Sequence, residues 1–145
     1  MPNSIHHLNF IVRDLEAALP VWERLLGRAV DRRDELPARG VVAARFRLGD
    51  VWLVLVQPTQ ADSVPGQYLE RHGEGFFLLS LGVDSLAEEL ARLGDGAFSG
   101  PIRPGADGWQ VRDLQPAQLA GIQLQFTEEL PAAPKEQPAD GPLRS

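Results

Sequence analysis

Chemistry in this chain has to come from a short list of side chains. There are three histidines, His6, His7 and His72, and no cysteine. That excludes a thiolate metal site, a disulfide scaffold and a cysteine nucleophile, and it leaves too few imidazoles for a histidine cage. The single lysine, Lys135, lies in a proline-rich C-terminal stretch, so a Schiff-base lysine inside a pocket is excluded too. His7 alone could act as a general base, since a free imidazole titrates near pH 6.5. Arginine supplies the other cations: Arg24, Arg28, Arg32, Arg33, Arg39, Arg45 and Arg47 crowd one quarter of the chain. Guanidinium groups receive carboxylates or phosphates through paired hydrogen bonds. Most of this cluster lies beside Glu23, Asp31, Asp34 and Glu35 and reads as a solvated face. Arg45 and Arg112 are the exceptions, each placed in mid-strand where a side chain can face a cavity. No P-loop, dinucleotide fingerprint, nucleophile elbow or HExxH is present.

The elements that must position these groups follow from the spacing of apolar residues. Residues 5–12 alternate, setting His7, Asn9 and Ile11 on one face and His6, Leu8 and Phe10 on the other. Asp14 caps a helix whose apolar positions are Leu15, Ala18, Leu19, Trp22, Leu25 and Leu26, stopped by Gly27. Pro20 removes one hydrogen bond there, at about 3 kcal/mol, and predicts a kink or a later start. Strands are predicted over 29–35, 40–48 and 51–57, the last two joined at Gly49-Asp50. A polar connection follows, with a short amphipathic stretch over 67–71. Then the pattern restarts: a strand over 76–83, a helix from the capping box Ser85–Glu88 to Leu93, and strands over 97–103, 108–114 and 120–127.

The restart is a repeat. Sliding the chain by 71 residues lays Val12-Arg13-Asp14-Leu15 over Val83-Asp84-Ser85-Leu86. The predicted fold class is α+β: two tandem β-α-β-β-β modules forming a curved, partly closed sheet around a central cavity. The modules span 1–57 and 76–129, with a linker carrying a short helix over 58–75 and a disordered proline-rich tail over 130–145. Acidic side chains outnumber basic ones, 20 to 14, for a net charge of −6. That argues against nucleic acid and anionic lipid as partners. No run approaches the roughly 18 apolar residues of a membrane helix and no leader pattern opens the chain, so the protein is read as cytoplasmic.

The opening "IHHLNFIVRDLEAALPVWERLLG", within this two-module pattern, resembles the vicinal oxygen chelate superfamily of glyoxalases, bleomycin-resistance proteins and dioxygenases. "LGDVWLVLVQP", "YLERHGEG" and "IRPGADGWQV" are similar in order and spacing to blocks of its methylmalonyl-CoA epimerase branch. The resemblance covers about residues 5–128. It implies a metal between the modules, held by four His, Gln or Glu side chains on the first and fourth strands of each. Those positions fall on His7, Val54, Leu78 and Gln125, a register that the 71-residue offset supports independently. Two of the four are aliphatic and one is a neutral amide. A one-residue shift would bring Phe77 or Leu79 to the third position, and neither is a ligand. His6 is expected on the face opposite His7, and His72 in an exposed, Gly-flanked turn. No cofactor is therefore expected, a tightly bound divalent metal included.

On this register the cavity wall includes His7, Asn9, Trp52, Val54, Val56, Leu78, Ser80, Gln123 and Gln125. Such a wall, apolar with a few neutral hydrogen-bonding groups, suits a small organic ligand. It also suits a former metal site filled by side chains, with His7 a vestige that contacts Gln125. "RPGADGWQV" carries Trp109-Gln110 where the epimerases often have a basic residue, which weakens the case for coenzyme A phosphate binding. The resemblance implies a small-molecule-binding protein like the drug-binding resistance proteins, without a metal. The alternatives are an epimerase-, glyoxalase- or lyase-type enzyme on a carbonyl compound with a reduced or absent metal site, with His7 as the base, and a degenerate module serving as a dimer partner. The family resemblance also implies a homodimer.

Overall fold

The computed structural model describes residues 1–116, 119 and 122–130, so the predicted tail beyond Leu130 lies outside the described residues. Strand β1 (Ser4–Ile11) leads into helix α1 (Leu15–Leu26). The Asp14 carboxylate accepts from the Ala17 amide at 3.3 Å, and Gly27, at φ 71°, closes the helix. The helix begins at Leu15 and continues through Pro20, whose ring is exposed, so the later start does not occur. Strands β2 (Arg32–Leu36), β3 (Val41–Leu48) and β4 (Val51–Pro58) follow. Helix α2 (Val64–His72) then leads to β5 (Gly75–Gly82) and helix α3 (Leu86–Leu93). Strands β6 (Phe98–Pro104), β7 (Trp109–Leu114) and β8 (Leu124–Glu129) complete the described chain.

All eight strands form one sheet, curled into a half-barrel, in the order β2-β3-β4-β1-β5-β8-β7-β6. β1 and β5 run antiparallel at its centre, each flanked in parallel by the last strand of its own unit. The fold is α+β, built from two β-α-β-β-β units. Their repeat is visible in single hydrogen bonds. The Gln57 side chain accepts from the Leu15 amide at 2.7 Å, and 71 residues on Glu128 accepts from the Leu86 amide at 2.8 Å. At the central pair His7 faces Ser80 and Asn9 faces Leu78, so each residue lies across from the repeat mate of the other.

Helices α1 and α3 cover the same side of the sheet. Leu15 and Leu19 of α1 pack with Val12 on Ala44, Phe46 and Leu55, and Leu86 of α3 packs with Val83 on Phe98, Leu114 and Phe126. Burying each such side chain contributes roughly 1.5–3 kcal/mol. The other face is concave and lined by Val41, Ala43, Val54 and Val56 on one half. Ile11, Phe77 and Leu78 line the middle, beneath Tyr68 and Leu69 of α2. Among the described residues no helix is long and apolar enough to cross a membrane.

Candidate functional site

The concave face holds a cavity of about 50 Å³. Strand alternation builds its main wall: Val41, Ala43 and Arg45 of β3 point inward, and Arg39, just before the strand, continues the row. β4 adds Val54 and Val56, β1 adds His7 and Asn9, β7 adds Trp109 and Val111, and β8 adds Gln125. A wider hollow of about 490 Å³ adjoins it, sharing Arg39, Pro65 and Phe77 with the inner chamber.

Arg45 dominates the electrostatics of the chamber. It is 1% exposed, yet among the described residues only its Nε donates a hydrogen bond, to Asp34 at 2.9 Å. Trp52 and Trp109 stand 4.5 and 4.8 Å from the guanidinium carbon, and the Asp107 carboxylate lies 3.5 Å from Nη2. Asp107 reaches there from a left-handed backbone conformation (φ 57°), unusual for a residue other than glycine. Among the described residues, neither Nη atom has a hydrogen-bond partner, nor has Asn9 Oδ1 or Gln125 Oε1. Arg39 makes no ion pair among the described residues. Burial, helped by the charge of Arg103 and opposed by Asp113, pushes its pKa down to about 10.

The histidines differ from the sequence expectation. β1 carries a bulge between Ile5 and His7, and the extra residue brings His6 to the side of His7 instead of the opposite face. Their Nδ1 atoms are 2.8 Å apart, His6 Nε2 lies 2.6 Å from Glu129, and both rings contact Trp109. Burial pushes the His6 pKa down, an effect Glu129 opposes. Burial, then the charges of His6, Arg39 and Arg45, pushes His7 down to about 3, an effect that Gln125 beside the ring opposes. Both rings are thus neutral near pH 7, and the partners set their tautomers. The Glu129 carboxylate accepts from His6 Nε2–H, and His6 Nδ1 accepts from His7 Nδ1–H. That leaves His7 Nε2 as an unprotonated nitrogen.

The other predicted residues separate into groups. His7, Asn9, Arg45, Val54, Val56 and Gln125 line the inner chamber. Trp52 backs the Arg45 guanidinium from the same face. Leu78 and Gln123 line the outer hollow. Ser80 is fully buried and shares a 2.5 Å hydrogen bond with Thr127. Arg112 lies on the helix-covered side: Val111 and Asp113 of β7 take the inward positions, while Arg112 stacks on Phe98 and donates to the Gly100 carbonyl. His72 ends α2 and is exposed.

Arg39 lines the cavity instead of joining the solvated arginine face, and the inward positions of Asp107 and Trp109 and the His6–Glu129 contact add to the site beyond the sequence expectation. Arg39 could have been found by extending the inward alternation of Val41, Ala43 and Arg45 back by one step. The contacts of Asp107 and Trp109 cross between units, which no local pattern reports.

The donor set does not match the family metal. Its positions present one imidazole, one amide and two hydrocarbon side chains, and among the described residues no group of three or more His, Asp or Glu side chains could hold an ion. At His7 itself the charges of Arg39 and Arg45 disfavour a further cation.

A family model described as the Glyoxalase/Bleomycin resistance protein/Dioxygenase superfamily matches residues 6–112. The chain is 27% identical over 129 residues to the protein YqjC of Bacillus subtilis, covering 87% of this chain and 92% of that one. It is 25% identical over 128 residues to the mitochondrial methylmalonyl-CoA epimerase of Homo sapiens, covering 86% and 73% of the two chains. Streptomyces coelicolor methylmalonyl-CoA epimerase, solved with 2-nitronate-propionyl-CoA, aligns at TM-score 0.83 and 23% identity over 92% of this chain and 100% of that one. A hypothetical protein from Bacillus halodurans C-125 aligns at TM-score 0.82 and 25% identity, over 89% and 96%.

Proposed function

Because the chain belongs to the glyoxalase/bleomycin resistance/dioxygenase superfamily, we propose that it is a small-molecule-binding protein whose cavity works without a bound metal. The observation that carries this reading is Arg45, a buried cation with open donors on a cavity wall otherwise rich in hydrocarbon. A guanidinium fixed among Trp52, Trp109 and Asp34 offers charge and direction where the family would place an ion. The test is a thermal-shift panel of charged and neutral small molecules on the full chain, alongside Ala43→Val, which fills the chamber. A ligand at about 100 times its Kd adds about 2.7 kcal/mol of stability, and that gain should vanish in the variant. A panel with no stabilising compound would count against the reading.

A catalytic reading competes with it: an epimerase- or glyoxalase-like isomerase or lyase acting on a carbonyl compound. The Glu129–His6–His7 chain favours it, since it leaves His7 Nε2 free to accept a proton, although burial makes that nitrogen a weak base. Methylmalonyl-CoA incubated with the protein in D2O separates the two, because only an epimerase exchanges the α-proton faster than buffer does. A homodimer is part of the same proposal, on family likeness, and sedimentation equilibrium tests it.

A further inference from the structure

Buried polar groups in folded proteins nearly always have partners. This chamber has four such atoms without one among the described residues: both Nη of Arg45, Asn9 Oδ1 and Gln125 Oε1. Two are donors on one planar cation and two are acceptors, Asn9 on β1 and Gln125 on β8. A ligand that satisfies them must carry acceptors for the guanidinium and a donor for the amides.

Geometry narrows the class. Nη1 and Nη2 form the outer edge of the guanidinium, and two oxygens of one carboxylate match that edge. Asp34 and Asp107 already flank Arg45, so a single added negative charge is tolerated better than the two of a phosphate. Val41, Ala43, Val54, Val56 and Val111 would leave the remaining phosphate oxygens against hydrocarbon. The volume of about 50 Å³ corresponds to about three to five waters at about 10–15 Å³ each, which limits the carbon chain to a few atoms. Arg39 supplies a second cation at the boundary with the outer hollow.

We infer that the inner chamber takes a short hydroxycarboxylate, its carboxylate on Arg45 and its hydroxyl donating to Gln125 or Asn9. This rests on the reading of the cavity as a ligand site. The ligand deepens that reading by class: an organic acid with a small apolar body and a hydroxyl group.

Titration of the full chain with 2-hydroxybutyrate, butyrate, butyramide and inorganic phosphate tests it. Intrinsic fluorescence is a direct readout, because Trp52 and Trp109 flank the guanidinium. The expected order is 2-hydroxybutyrate tightest, butyrate several-fold weaker, and butyramide and phosphate at least tenfold weaker than butyrate. Arg45→Met should abolish acid binding. Should that variant not fold, Arg39→Gln and Gln125→Leu carry the test, each weakening 2-hydroxybutyrate several-fold with an unchanged circular dichroism spectrum. Butyramide or phosphate binding as tightly as the acids would overturn the inference, and butyrate matching 2-hydroxybutyrate would overturn the hydroxyl contact. If none of the four binds while the thermal-shift panel finds a ligand that Ala43→Val excludes, the inference fails and the ligand-site reading stands. If neither experiment finds a ligand, both fail.

Discussion

Acidification from pH 7 to 4.5 should destabilise this fold through one residue in particular. His7 is 5% exposed, and its pKa is pushed from 6.5 down to about 3. In the unfolded chain the imidazole takes a proton as the pH falls through about 6.5, whereas in the fold it resists until about 3. The folded value is the depressed one, so the proton favours the unfolded state. The contribution is intact above about pH 6.5 and is lost progressively as the pH drops toward 3. For a single site the loss between pH 7 and 4.5 is about 2.5 kcal/mol, a large share of a typical stability of about 5–15 kcal/mol. Urea unfolding followed by far-UV circular dichroism, at both pH values, on wild type and His7→Gln isolates it. The carboxylates are common to both proteins, and glutamine does not titrate. Wild type should lose about 2.5 kcal/mol more than the variant over this interval. Equal pH dependence in the two proteins would refute a buried neutral imidazole.

Three further outcomes follow from particular contacts. Nitrogen-15 NMR at pH 7 should find the His7 proton on Nδ1 and the His6 proton on Nε2, the tautomers set by the Glu129 contact; a proton on His7 Nε2 would contradict that order. Ser80→Ala strands the buried Thr127 hydroxyl and should cost about 1–3 kcal/mol, while adding Thr127→Val should cost less than the sum of the single changes. Gly66→Ala would bring its Cβ within 2.2 Å of the Gln60 carbonyl oxygen, so the start of α2 must shift, lowering the thermal midpoint by several degrees. An unchanged midpoint would show that this turn yields freely.

The sheet was legible in the sequence because its repeat is written twice in apolar spacing. The offset that relates Asp14-Leu15 to Ser85-Leu86 also relates the Gln57 and Glu128 side chains that accept from those helix starts. The chamber was legible as far as strand parity reaches, hence His7, Asn9, Arg45, Val54 and Gln125. Parity failed wherever the ladder slips. A bulge after Ile5 turned His6 toward His7, and a second irregularity opposite Asn9 and Phe10 brought Phe77 to the inner chamber while Leu78 lines the outer hollow. In β7 the ladder is regular: Trp109, Val111 and Asp113 share the inward parity and Asp113 pairs with Gln125, so mid-strand position alone does not tell that Arg112 faces the helix side. The two β1–β5 irregularities depend on the partner strand and leave little trace in local composition.

If a cavity carrying Arg45 and Arg39 has taken the place of a metal centre, the protein holds no resident ion. Elemental analysis of the full-length protein, purified without chelator from medium supplied with nickel, cobalt, zinc, manganese and iron, tests it most directly. Metal should lie far below one equivalent per chain, with no rise in thermal midpoint on adding any of these ions. Near-stoichiometric metal that survives dialysis and is lost in His7→Gln would contradict it.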